Sequence, residues 1–481
     1  MNKMLQKYKD LPVQARAAFW FALCSAIQSG ASFLAIPFFT RLMSQEQYGI
    51  VTLYNSWRQI VIIFATLNIY CAVFNNGMIK WKDQRDKYLS SMIGLTFCLV
   101  VVMAFVYSAF QPALTSLFQL EPPFIWLMLV QIFATTVFSL WSARERFEYR
   151  YKKLIVLTVV YAVLGQAVSV VSTWAVPNDA DKAFVSIASL TIVLLVMAIV
   201  LATYCFRRGR SFIELDFWKY AVLFNLPLVP HYLATLVLGQ ADRIMIASIN
   251  GASQAAIYGV AYTVGLMIQV VTSAVSNAIV PWLYGKLERH EEDGVSRLFE
   301  SVVLMVGLLN ILVVFIAPEF MALVGPASYQ AGVYVIPPVS GAMLFMFVYG
   351  LFAYVEFFYE KRLGTVAASV VAAVTNIALN FWALPRFGFI AAAYTTLLCY
   401  GLLSIAHFLY AHYLAKNHSL DGLLNGPRIL GCCLVFFPAG ILAVFLYPYP
   451  IARLCAICFV AIVVYCKRDV FKDLLKQVKS K

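Results

Sequence analysis

The stretch Gly49-Ile50-Val51-Thr52-Leu53-Tyr54-Asn55-Ser56-Trp57-Arg58-Gln59-Ile60-Val61-Ile62-Ile63-Phe64-Ala65-Thr66-Leu67-Asn68-Ile69-Tyr70-Cys71-Ala72-Val73-Phe74 carries one charge. As a helix rising about 1.5 Å per residue it is long enough to cross the roughly 30 Å of hydrocarbon in a bilayer. If the helix starts near Gly49, Arg58 lies roughly 13 Å inside. A charge at that depth is costly and by default a functional-site candidate. Two readings stand: a side chain snorkelling back to the nearer interface, or a cation that faces an aqueous cavity and meets an anionic ligand.

The rest of the chain fits a membrane setting. Of 481 residues, 62% are hydrophobic and only 12% are charged, about half the charged share of a soluble protein. Apolar runs of near-spanning length recur from Ala17 to Cys466, about fourteen in all. The fold class is therefore all-α, a polytopic membrane protein of about 14 transmembrane helices. Thirty of the 36 Lys and Arg residues fall in the N-terminus, in every second connection and in the C-terminal tail, against five in the alternate connections. Basic loops stay cytoplasmic, so both termini are expected there. The net charge of +13 then reflects topology and contact with anionic membrane lipid, and no nucleic-acid partner is implied. The ten cysteines lie in or beside the apolar runs and read as small apolar residues. Cys455 and Cys458 have CxxC spacing without a second pair, so no metal site is assigned.

A weak internal repeat organises the spans. The first ends in Thr40-Arg41-Leu42-Met43 and the second opens at Tyr48-Gly49; the seventh ends in Asp242-Arg243-Ile244-Met245 and the eighth opens at Tyr258-Gly259. Gln28 and His231 precede the two arginines at similar distances. Beyond the glycines, Arg58 matches Gln269, and Asn68 matches Asn277. Two pseudo-symmetric six-helix lobes follow, with an axis along the membrane normal. The expected domains are 1–212 (helices 1–6), 213–418 (helices 7–12) and 419–481 (two C-terminal helices and a basic cytoplasmic tail).

Three segments carry a family resemblance. Arg41-Leu42-Met43-Ser44-Gln45-Glu46-Gln47-Tyr48-Gly49 resembles the junction after the first helix of polysaccharide flippases. Gln240-Ala241-Asp242-Arg243-Ile244-Met245-Ile246 is similar to their seventh-helix ending, and Asn376-Ile377-Ala378-Leu379-Asn380 with Pro385, Gly388 and Ala391-Ala392-Ala393 to their eleventh and twelfth helices. The resemblance covers most of residues 15–415. It points to the O-antigen (Wzx-type) branch of the multidrug/oligosaccharidyl-lipid/polysaccharide (MOP) exporter superfamily. It implies a V-shaped pair of lobes in the bacterial inner membrane that moves undecaprenyl-pyrophosphate-linked oligosaccharide outward by alternating access. It also implies a proton or sodium ion as coupling ion, no other cofactor, and a polysaccharide polymerase and chain-length proteins as partners. The extra helix pair departs from the commoner twelve-helix form and leaves a groove for the lipid tail as one use for it.

The residues refine that expectation. No Asp or Glu falls in the middle of an apolar run; the nearest, Glu356 and Asp242, sit at run ends. A pump for lipophilic cations wants a carboxylate at depth, whereas Arg58 suits a pyrophosphate through charge-assisted, bidentate hydrogen bonds. His231, beyond Pro227 and Pro230, is either a neutral interhelical histidine or a cavity residue that binds sugar or a proton. Gln28, Asn68, Gln269 and Asn277 are either interhelical glue or sugar-contacting amides. Asn376 and Asn380 share a helix face and read as packing. Asp242 and Arg243 are read at the outer interface, as a local ion pair or as a gate with Arg41 and Glu46. The expected function is a flippase and not an enzyme, with no catalytic residue assigned. The alternatives are a cation-coupled multidrug exporter of the same superfamily and a membrane polysaccharide polymerase, although no outward loop is large enough for the latter.

Overall fold

The computed structural model describes residues 12–359 and 362–466; the basic tail from Lys467 onward lies outside the described residues. Among the latter every regular element is helical, as hydrocarbon demands when each backbone N–H and C=O must be satisfied within its own segment. Twelve helices are long and apolar enough to cross a membrane. Two more complete the series of fourteen: Gln45–Thr66, made less apolar by Arg58 and its polar neighbours, and the 17-residue Pro450–Cys466. The chain divides into two compact units, Met1–Leu236 and Val237–Lys481.

The N-terminal unit is built on Pro122–Phe147 and Lys182–Gly209, the fourth and sixth spans, packed against the third, Arg85–Ala109. Phe74, Tyr88, Leu140 and Trp141 fill its core. One end is laced by ion pairs: Asp86 binds Arg144 and Arg208, and Glu148 binds Arg85, Arg144 and Arg150. The opening helix of the seventh span, Leu215–Asn225, belongs to this unit. Its Trp218 indole donates to the Ser91 carbonyl at 3.0 Å, and Phe217 packs on Trp81 and Tyr88. At the other end Lys182 donates to the Leu42 carbonyl (2.6 Å) and the Ser44 N–H to Asp179 (3.1 Å), tying the first helix turn to the fifth.

Three interruptions break the helices of this unit. The second span stops at Thr66, where Leu67 and Asn68 are left-handed (φ 49° and 52°), and resumes as Ala72–Lys80. A left-handed residue other than glycine costs roughly 1–2 kcal/mol, less for Asn. The fifth span, Tyr151–Ala175, contains a π turn at Val160–Leu164. The seventh is interrupted at Leu226–Leu228, where Pro227 removes a donor and a 3₁₀ turn replaces the α-helix.

The C-terminal unit is centred on Ile336–Phe358, the tenth span, which packs along Ala391–Asn417, the twelfth. The Asn310 amide donates to the Ser340 carbonyl at 2.6 Å. The thirteenth and fourteenth spans, Gly426–Leu446 and Pro450–Cys466, pack on the ninth, Val295–Phe315. Tyr447 donates to the Val314 carbonyl (3.2 Å), and the buried Arg453 reaches Glu319 (2.7 Å) and the Phe315 carbonyl (3.3 Å). The turn after the seventh helix is held as in the first unit, Asn250 donating to the Leu384 carbonyl at 3.4 Å.

Candidate functional site

Arg58 sits one turn beyond Tyr54 and Asn55 on Gln45–Thr66, a helix started by the Ser44 hydroxyl accepting from the Gln47 N–H. Its guanidinium is half-buried. Nη2 donates to Asn55 Oδ1 at 3.4 Å, and the buried Nε has no partner. No carboxylate pairs with it among the described residues, whereas Arg144, Arg208 and Arg453 all have one. Tyr54 lies one turn before Arg58 on the same helix, and Tyr70 follows the break at Leu67 and Asn68. Tyr54 donates to Gln131 Oε1 (2.8 Å) and Tyr70 to Asn68 Oδ1 (3.1 Å), which braces the left-handed break below Arg58. The one hydrogen-bond partner of Arg58 among the described residues is thus a neutral amide. Its charge is without a compensating carboxylate among the described residues.

The other expected site residues separate. Asn68 is in this region, 8% exposed and bonded to Tyr70. Gln28 is half-buried on Val13–Leu42 and makes no hydrogen bond among the described residues. Gln269 donates to the sulfurs of Met343 and Met346 (3.3 and 3.5 Å), as interhelical glue would, and Asn277 is exposed. The side chain of His231 lies outside the described residues. Arg41 and Glu46 are both exposed; Arg41 donates to the Pro37 carbonyl at 2.9 Å.

The reading of Asp242 and Arg243 at a helix end is corrected. Polar Gln240, Asp242 and Arg243 end the apolar run, but Val229–Asn250 continues past them until Gly251, whose φ of 99° suits a residue without Cβ. Asp242 is therefore inside the helix and 1% exposed. It does not pair with Arg243, which donates to the Gly239 carbonyl (3.0 Å) and Gln240 (2.9 Å) and lies over the Tyr262 ring. Instead its carboxylate accepts from Tyr258 (2.7 Å), Asn380 (2.6 Å) and Thr396 (2.5 Å), drawn from the eighth, eleventh and twelfth helices. Asn376 and Thr395 complete the cluster through Asn380 and Thr396. Asn376 and Asn380 thus pack the second unit as expected, but around a buried charge.

The premise that no carboxylate lies at depth falls with it. Glu356, by contrast, lies in the last turn of Ile336–Phe358, at a helix end as expected, and is 0% exposed and 2.8 Å from His407 Nδ1 on the neighbouring helix. Sequence misplaced Asp242 because the apolar-run boundary was taken for the helix boundary. It also missed Asn55 and Tyr54, which the i−3 and i−4 spacing from Arg58 would have flagged.

Comparison with solved structures places this arrangement. The chain resembles the lipid II flippase MurJ in an inward closed conformation, with a TM-score of 0.68, 12% identity, and 95% of this chain and 99% of that one covered. An inward-facing multidrug resistance MATE family transporter of the MOP superfamily matches with a TM-score of 0.58 at 13% identity, over 84% of this chain and 99% of that one. A MOP superfamily transporter from Pyrococcus furiosus matches at 0.53 and 12%, over 85% and 96%. No individually curated protein matches. These likenesses establish the fold of MOP transporters and flippases. Residues 15–285, more than half of the chain, match the model of the polysaccharide biosynthesis protein family, and the chain belongs to that family.

Proposed function

We propose that the protein is a flippase that translocates an undecaprenyl-pyrophosphate-linked oligosaccharide, an O-antigen or other surface-polysaccharide repeat unit, across the bacterial inner membrane by alternating access. The observation that carries this reading is Arg58: a guanidinium inside a membrane span, bonded only to a neutral amide and without a carboxylate among the described residues. An unpaired cation in a low-dielectric setting is stable chiefly if an anionic passenger meets it. A pyrophosphate offers the oxygens that a guanidinium grips two at a time. Both termini lie in the cytoplasm in this reading, and Arg41 and Glu46 act near the outer ends of their helices as gate residues. A polysaccharide polymerase and chain-length proteins would act on the product.

The Asp242 cluster suits the coupling ion, H+ or Na+. A buried carboxylate that accepts from the hydroxyls of Tyr258 and Thr396 and from the Asn380 amide can take a proton, or a small hard cation once those hydroxyls turn their oxygens to it. It also bears on the rival reading, a multidrug exporter. That transporter needs a carboxylate open to a bulky lipophilic cation, whereas the Asp242 oxygens are already occupied by three donors. The test is transport of lipid-linked oligosaccharide by reconstituted protein: Arg58→Ala should abolish most of it and Arg58→Lys should restore part. Full transport by both variants would overturn the anion-clamp role.

A further inference from the structure

Glu356 and His407 have no part in the proposed passenger or coupling sites. His407, in the middle of the twelfth span, is 1% exposed, and Glu356, in the last turn of the tenth, is 0% exposed. The gap from Glu356 Oε1 to His407 Nδ1 is 2.8 Å, a single hydrogen bond. The other ring nitrogen, Nε2, is buried and has no hydrogen-bond partner among the described residues. Tyr349 stacks on the imidazole, with centroids 5.2 Å apart and 29° between planes. About one turn earlier Ser404 donates to the Phe345 carbonyl at 2.8 Å, so the two helices meet through polar groups at two levels. Of these two contacts, only the carboxylate and imidazole can change charge.

A buried histidine that serves structure alone has both nitrogens satisfied. His407 has a carboxylate at one nitrogen and no partner at the other. With the shared proton on Nδ1 the imidazole is neutral and the pair carries the carboxylate's charge. A proton taken from water forms an N–H bond at Nε2, breaks no bond in the protein, and leaves a carboxylate beside an imidazolium that lies against an aromatic face.

The helices packed here bring few competing charges. Tyr349 stacks in turn on Tyr400 (6.2 Å, 14°), and His412 packs on Phe408. Tyr354 on the tenth span and Tyr410, over Gly364, on the twelfth are the other phenols near this level. On the eleventh span, Arg362–Phe387, Arg386 is at the far end and donates to the Trp382 carbonyl, and the side chain of Arg362 lies outside the described residues. On the eighth, Ala252–Glu288, Tyr284 packs on Phe358 and Lys286 binds Glu291. On the ninth Glu300 accepts from Ser296 and Arg297 is exposed, as is Arg428 on the thirteenth, which also brings Cys432 and Cys433.

We propose that Glu356 and His407 form a proton site between the tenth and twelfth spans, distinct from Asp242, and that the proton bound there tightens the contact between those helices. Thr396, which donates to Asp242, is roughly 16 Å from His407 along the same helix, so the two sites are separate. In the orientation proposed above, Glu356 lies in the turn nearest the cytoplasm, which brings the proton from that side. The inference goes beyond the flippase reading and holds for any passenger.

Magnetic resonance of the full chain in nanodiscs, with nitrogen-labelled histidine, tests it. Of the five histidines, His407 gives the signals that disappear in His407→Gln or, if that variant does not fold, those that survive replacement of the other four. Between about pH 5 and 8 its ring should pass from two N–H groups to one, with Nε2 as the bare nitrogen. Glu356→Gln keeps a hydrogen bond at Nδ1 but removes the charge, and should move the midpoint of this change by about one pH unit or more. By linkage, a pair held tighter when protonated contributes more to stability on the acid side of its transition and less on the alkaline side. The difference in thermal midpoint between the wild type and Glu356→Gln should therefore shrink as pH rises through the transition. A ring with the same number of N–H groups across this range, or a thermal difference that does not vary with pH, would make the pair an ordinary interhelical hydrogen bond, and the proposal falls.

Discussion

Arg58 in the N-terminal unit and Asp242 in the C-terminal one are charges treated in opposite ways. In the N-terminal unit Arg58 has one long hydrogen bond to an amide and an unpartnered Nε. In the C-terminal unit Asp242 accepts from three neutral donors on three helices and is closed off from solvent. The second arrangement is what buried charges ordinarily need, because an unsatisfied ion in low dielectric is expensive. The first leaves its charge available. In the proposed reading, the uncommitted cation is the place for an anionic passenger and the committed anion the place for an ion small enough to enter a packed cluster.

The largest expected effect comes from breaking the committed site. Asp242→Ala leaves the Tyr258, Asn380 and Thr396 donors without an acceptor, each orphaned group costing about 1–3 kcal/mol. The C-terminal unit should melt at lower temperature and transport should be lost together with stability. A variant that melts like the wild type would mean that the cluster is not what holds those helices. Arg58→Ala should behave in the opposite sense. With one weak bond to lose, its thermal midpoint should shift little, while affinity for a pyrophosphate falls by about 10- to 100-fold, the worth of a charge-assisted pair of about 1.5–3 kcal/mol. Coupled loss of stability and binding in this variant would show that Arg58 is structural after all.

The contrast can also be erased in place. Asn55→Asp would set a carboxylate on the residue whose Oδ1 is 3.4 Å from Arg58 Nη2. That gives Arg58 a permanent counter-ion and makes the first site resemble the second. Pyrophosphate binding should drop about tenfold with the fold intact, which direct binding alongside thermal melting would read. Unchanged binding would place the passenger's anion elsewhere.

How far the sequence disclosed these sites follows from the kind of signal each gives. A single charge in an apolar run is visible without a structure, so Arg58 and the fourteen-helix, all-α class were legible. Membership of the polysaccharide biosynthesis family was legible too, because its junction motifs are local. Asp242 was named but misplaced: hydropathy reports where apolar composition stops, and the backbone stays helical to Gly251 regardless. Its three partners come from positions 258, 380 and 396, and nothing local says that they converge. Asn376 and Asn380 showed their shared face by spacing alone, but the object they face did not appear. The π turn at Val160–Leu164 has no composition cue, since Val-Tyr-Ala-Val-Leu would serve equally in an ordinary helix.

The smallest effect bears on how the uncommitted site is kept in shape. The second span breaks directly after Thr66, and the turn is closed by the Tyr70 hydroxyl donating to Asn68 Oδ1 at 3.1 Å. Asn tolerates the left-handed conformation better than most residues, but Leu67 beside it does not, so the turn depends on such bonds. Tyr70→Phe removes this one and should cost about 0.5–1.5 kcal/mol, seen as a lower thermal midpoint. If the break positions Arg58, pyrophosphate affinity should decline by a few-fold at most, because Arg58 is two helical turns away and its own bond to Asn55 survives. Stability that falls with affinity untouched would mean that the break and the cation are independent, and that the helix ends at Thr66 for reasons of packing alone.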